Sequence, residues 1–108
     1  MRKSRAEKLF ADKTDDVKRA LRAYPDCETH EWIQAIDAAV AFLSEAAPHK
    51  ERVLRESYLE RRGRPGMQIL ADLQKELFVD QSAIYNYRQK ALDIVLMSAL
   101  QYGAIEMF

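Results

Sequence analysis

Residues 93 to 101, DIVLMSALQ, constrain the fold of this chain more than any other stretch. Ile94, Val95, Leu96, Met97, Ala99 and Leu100 point almost all round a helix, and only Asp93, Ser98 and Gln101 interrupt them. A helix that is apolar on most faces must be covered on most faces. The apolar run from Ile94 to Leu100 is too short to span a bilayer, so protein rather than lipid has to cover it. It is either the central helix of the domain, wrapped by the N-terminal helices, or a surface on which two copies form a homodimer. Met107 and Phe108 extend the apolar character toward the second option, and the two options are compatible.

The rest of the chain supports a helical solution. At 108 residues it suits one domain with a modest core. Gly and Pro number three each, and Ala, Leu, Glu, Arg and Lys dominate, so the expected fold class is all-α. We expect a compact helical domain of about five helices over 1–108, with N-terminal helices in 1–48 and a helix-turn-helix part in 49–102. In Met1–Tyr24 the apolar spacing suits one broken helix or two short ones, interrupted near Asp12–Asp16 and ended by Pro25. Thr29 is a natural cap for a helix over Glu31–Ala46, where Trp32, Ile36, Val40 and Leu43 share a face, with Ile33, Ala39 and Phe42 beside it. Pro48 suits the first turn of a third helix that turns Val53, Leu54, Tyr58 and Leu59 inward. The same helix turns Lys50, Arg52, Arg55, Arg61 and Arg62 mostly outward.

A functional pattern occupies Ile69–Leu92, ILADLQKELFVDQSAIYNYRQKAL. Ile69, Leu70, Leu73 and Leu77 make one apolar face, Val79 is the plug of a tight turn, and Asp80 is placed to cap the next helix. That helix hides Ile84, Tyr87, Ala91 and Val95. Its other side offers Ser82, Asn86 and Gln89, flanked by Gln81, Tyr85 and Lys90. Such side chains suit double-stranded DNA. Asn and Gln pair bidentately with adenine, Ser and Tyr reach bases or phosphate, and Lys90 and Arg88 suit phosphates. An ordinary solvated face of an amphipathic helix would look similar. The preceding loop, Arg61–Gly66, adds Arg61, Arg62 and Arg64 as phosphate ligands, and its Arg-Gly-Arg-Pro resembles an AT-hook, in which an extended segment enters the minor groove.

Net charge is zero, but it is laid out in blocks. Met1–Tyr24 holds eight basic and four acidic residues, and Pro25–Pro48 none basic and five acidic. His49–Arg64 holds six basic and three acidic, and Pro65–Phe108 three basic and five acidic. Two basic blocks therefore flank an acidic one, and the second adjoins the candidate motif. The acidic block suits a protein partner or plain solvent.

Enzyme chemistry is not expected. His30 and His49 have no second ligand at helical spacing and read as surface residues, and no glycine-rich phosphate loop follows a strand. No cofactor or metal is implied. The single Cys27 reads as packing in a reducing cytoplasm. The charged N-terminus lacks the apolar core of a secretory signal.

With these elements placed, the chain resembles phage-encoded transcriptional regulators of the ArpU and RinA type, whose C-terminal part is similar to region 4 of bacterial sigma-70 factors. The resemblance rests on Trp32–Leu43, on the basic helix ending in Tyr58-Leu59, and on Leu77–Ser82 leading into Ile84–Leu92. Tyr85, Arg88, Ala91 and Leu92 match the family's recognition-helix series. It implies a phage or prophage late-gene activator in a bacterial cytoplasm, with possible contact to host RNA polymerase. Three positions depart from it: Gln74 replaces a small residue, Phe78 the turn glycine, and Asp80 the turn serine. A bulky Phe78 suggests a longer or differently packed turn. Two other readings stand beside this one. One is a small terminase subunit, disfavoured by the C-terminal place of the motif. The other is a helical interaction module, such as an anti-repressor or adaptor, favoured by the zero net charge and the apolar last helix.

Overall fold

In the computed structural model, residues 5–106 are described, with side chains described from residue 13 to 106. Met107 and Phe108, read above as extending an apolar surface, lie outside the described residues. The architecture is all-helical: α1 (Arg5–Ala23), α2 (His30–Ala46), α3 (Pro48–Leu54), α4 (Gly66–Leu77) and α5 (Gln81–Gln101). α3 runs on into a π turn over Arg55–Leu59.

α1 is continuous through Asp12–Asp16, where an interruption was expected. Thr14, Asp15 and Asp16 are weak helix formers, but each costs only a few tenths of a kcal/mol, to roughly 0.7, in a helix interior. Val17, Ala20 and Leu21 are buried in the core, and that packing outweighs the local preference. Arg19 and Asp16, one turn apart, form a surface pair at 3.4 Å. The helix stops before Pro25, as its missing donor requires.

α2 starts at His30, one residue earlier than expected. Thr29 takes the extended backbone of a cap (φ −129°, ψ 154°), but its hydroxyl makes no capping hydrogen bond. Trp32, Ala35, Ile36, Ala39 and Leu43 are buried, while Phe42 is 55% exposed. Pro48 opens α3 in its first turn.

The apolar segment 94–100 is the centre of the molecule. α5 packs against α1, α2, α3 and α4. Ala91, Leu92, Val95, Leu96 and Ala99 join α1, α2 and Leu54 in the main core. Ser98 is buried as well, and its hydroxyl donates to the Ala35 carbonyl of α2 at 2.7 Å. That bond needs the two backbones to come close, which Ala35, Ala39 and Ala99 permit. Met97 alone among the large apolar residues of this stretch faces out, at 65% exposure.

A second, smaller cluster gathers Val53, Ile69, Leu73 and Ile84, with Leu70, Leu77, Val79 and Tyr87 packed on it. α5 contributes to both clusters, Ile84 to the small one and Ala91–Ala99 to the large one. The core therefore runs across the 48/49 boundary. No helix among the described residues is long and apolar enough to cross a membrane.

Candidate nucleic-acid interface

α4 and α5 are joined by Phe78, Val79 and Asp80. The turn is three residues long. Phe78 adopts the left-handed conformation (φ 55°, ψ 44°) that a glycine would supply, and its ring points into solvent, 92% exposed. The amides of Phe78 and Val79 both donate to the Gln74 carbonyl, and Val79 packs on the small core. This closes α4 in the manner of a Schellman motif, with the apolar contact that usually accompanies it. Asp80 then caps α5, its carboxylate accepting from the Ala83 amide at 2.9 Å.

These two anchors set the rotation of α5. Ile84 is turned into the small core and Tyr87 packs against it, with the Tyr87 ring edge-on to the exposed His49 at 4.6 Å. Gln81, Ser82, Tyr85, Asn86, Gln89 and Lys90 are exposed. Among the described residues, the side chains of Ser82 and Asn86 have no hydrogen-bond partner, so their donors and acceptors meet only solvent.

The flanking positions are already engaged. Gln81 Nε2 donates to the Tyr85 hydroxyl at 3.0 Å, and the Arg88 guanidinium lies 4.9 Å from the centre of the Tyr85 ring. Gln81, Tyr85 and Arg88 thus form one connected row, and Tyr85 and Arg88 line a cleft beside α4. Gln89 donates to Asp93 at 3.1 Å. Asp93 stands in the sequence as a break in the apolar run, and its spacing of four from Gln89 is the signal for this pairing.

The arginine loop divides. Arg61 and Arg62 are exposed. Arg62 makes only a loose approach to Glu60, at 3.9 Å. Arg64 is turned inward, paired with Glu56 and with Asp72, the latter at 3.1 Å. Its guanidinium is held charged even more firmly than usual, first by the hydrogen bond to Glu56. Arg61 Nε donates to the Arg64 carbonyl at 3.0 Å and Arg64 Nε to the Arg61 carbonyl at 3.1 Å, which clamps the loop shut. The segment is not extended as in an AT-hook, because Arg62 and Gly63 are both left-handed (φ 56° and 69°).

The basic block beside the motif is also less open than its count suggests. Arg52 pairs with Glu56 and Glu76, and Arg55 with the buried Glu51. Among the described residues, Arg22, Arg61, Lys75 and Lys90 are exposed cations without an ion pair. No group of His, Cys, Asp or Glu among the described residues could hold a metal. Cys27 is a free, half-buried thiol that packs against the main core. Burial, followed by the charges of Asp26 and Asp37, pushes its pKa up. No family model, no curated protein and no solved structure matches this chain.

Proposed function

We propose that the chain is a sequence-specific DNA-binding transcriptional regulator in which α4 and α5 act as a helix-turn-helix. One observation carries the reading: the first turns of α5 are held by Asp80 and Ile84 while Ser82, Asn86 and Gln89 project outward. A recognition helix needs that arrangement to present hydrogen-bonding side chains to base edges in the major groove. Asn86 sits at the middle of this face with its amide uncommitted, and is the residue most suited to pair with adenine. Gln81, Tyr85 and Gln89 border it. Arg61, Arg62, Arg88 and Lys90 supply phosphate contacts, and Arg64 shapes the loop that presents Arg61 and Arg62. The resemblance to phage late-gene regulators makes a phage or prophage promoter the natural target. The exposed Glu31, Asp37, Glu45 and Phe42 of α2 are a surface for host RNA polymerase. The reading contains no catalytic step.

Selection of bound sequences from a random duplex pool tests this directly, and enrichment of one motif is the expected result. With that motif in hand, Asn86→Ala should relax preference at one base position, at a loss of about 1–3 kcal/mol. Arg62→Ala should weaken all sequences alike and reduce the salt slope by about 1. If the pool yields no motif and neither change alters anisotropy titrations, the proposal fails.

A further inference from the structure

A cleft of about 310 Å³ opens between α1, the π turn, the start of α4 and α5. Its size falls at the small end of ligand pockets, which run to roughly 300–1,000 Å³. Three arginines line it, one each from α1, the 61–66 loop and α5: Arg22, Arg61 and Arg88. No aspartate or glutamate is among its lining residues. The floor is apolar, made by residues such as Ile69 and Leu73, and two tyrosines, Tyr58 and Tyr85, complete it.

The pairing of these arginines differs from that of their neighbours. Arg52, Arg55 and Arg64 all end on carboxylates. Arg22, Arg61 and Arg88 have no ion pair among the described residues. Arg22 lies 6.0 Å from the centre of the Tyr58 ring and Arg88 4.9 Å from that of Tyr85. A guanidinium resting on a ring face keeps the N–H donors at its edge available. Arg22 and Arg61 are exposed and Arg88 half-buried, so water screens the three cations, and an anion seated among them would still meet positive charge from three sides. Ser57 and Tyr58 come from the π turn, an irregularity frequent at functional sites.

We propose that this cleft binds a small aromatic anion: a flat apolar body against Ile69, Leu73 and the tyrosines, with a phosphate, sulfonate or carboxylate held by Arg22, Arg61 and Arg88. A duplex phosphate is a poorer occupant, because it carries no apolar body to cover that floor. Arg61, Tyr85 and Arg88 belong both to the cleft and to the proposed DNA-binding surface. A bound anion therefore draws them from DNA, and this coupling rests on the function proposed above.

The test uses the full chain and anilinonaphthalene sulfonate, an aromatic anion that fluoresces when it leaves water, with the uncharged phenylnaphthylamine as comparison. Saturable binding of the anion is expected, and the neutral dye should bind more weakly. Arg61→Gln and Arg88→Gln should each weaken the anion about tenfold, the scale of one charge-assisted hydrogen bond. Lys75→Gln, on α4 and outside the cleft, should bind as the parent does. Arg22, Arg61 and Lys75 are exposed and Arg88 half-buried, and circular dichroism verifies that each variant folds. Equal affinity for the two dyes, or parental affinity in the Arg22→Gln/Arg88→Gln double variant, overturns the site. Saturating dye should also weaken duplex binding. If the dye binds as expected and duplex affinity is unmoved, the coupling is overturned and the site stands. If no duplex binds at all, the DNA reading fails while the dye titration still decides the cleft.

Discussion

At the scale of single residues, Phe78 shares with Arg62 a left-handed backbone that favours glycine. A left-handed conformation costs a residue with a Cβ roughly 1–2 kcal/mol, because Cβ crowds the following carbonyl. Its ring is 92% exposed and recovers little by packing. Phe78→Gly relieves the strain, and the added freedom of the unfolded chain offsets part of the gain. The expected net stabilisation is about 0.5–1 kcal/mol, read as a higher urea midpoint with an unchanged slope. A loss of DNA affinity in the same stabilised variant would show why a strained phenylalanine occupies the turn. Tyr24 carries a prediction of a different kind. Its hydroxyl donates to Asp37. That hydrogen bond, then burial, then the charge of Asp37 raise its pKa above the ordinary 10.0. A folded-state pKa raised in this way contributes stability that is fully present below pH 10 and is lost as pH rises through the folded value. Tyr24→Phe should therefore lower unfolding free energy by about 1 kcal/mol at neutral pH. The gap should close in the alkaline range, and a gap that widened there would exclude this hydrogen bond as its source.

At the scale of elements, the α4–turn–α5 unit follows local rules. Asp80, Val79 and the apolar face of α4 all behave as their positions in the sequence require, since caps and faces depend on residues a few places away. Asp80→Ala removes the only side-chain cap seen on α5 and should cost about 1 kcal/mol, within a range of roughly 0.5–2. Hydrogen exchange should show the loss at the amides from Gln81 to Ile84 first, because fraying starts at the uncapped end. Uniform loss of protection along α5 would instead mean that the cap holds the whole helix. Two other elements were not legible. The continuity of α1 through Asp12–Asp16 depends on Val17, Ala20 and Leu21 finding α5. The π turn after Leu54 has no signature in Arg55–Leu59, where an ordinary helix would satisfy the same apolar spacing. Nothing in the structure explains why the turn widens at that point.

At the scale of the whole molecule, α5 is both the outward-facing helix of the candidate site and the strut of the main core. Leu96 is fully buried there. Leu96→Ala should cost about 2–5 kcal/mol through lost burial and the cavity left behind, a large share of the roughly 5–15 kcal/mol that holds a domain folded. Because Ile84 and Leu96 lie on one helix but in different clusters, unfolding should be a single transition when followed both by circular dichroism and by Trp32 fluorescence. Two separated transitions would show that the small cluster folds independently of the large one.

The sequence by itself determined that the chain is helical, where most of its helices begin and end, and that residues 94–100 had to be covered. It also marked Ser82, Asn86 and Gln89 as the outer face of α5. Each of these follows from periodicity, proline, and caps, which act over a turn or two. The tertiary structure decided which charges remain open. Arg52 meets Glu76 and Arg64 meets Asp72 across a turn that composition cannot place. Two of the six basic residues of His49–Arg64 are paired in this way, while Arg22, Arg61 and Arg88 come together from three separate segments. Charge counted along a chain is indifferent to such pairing, because an ion pair is a matter of a few ångströms in space between residues far apart in sequence.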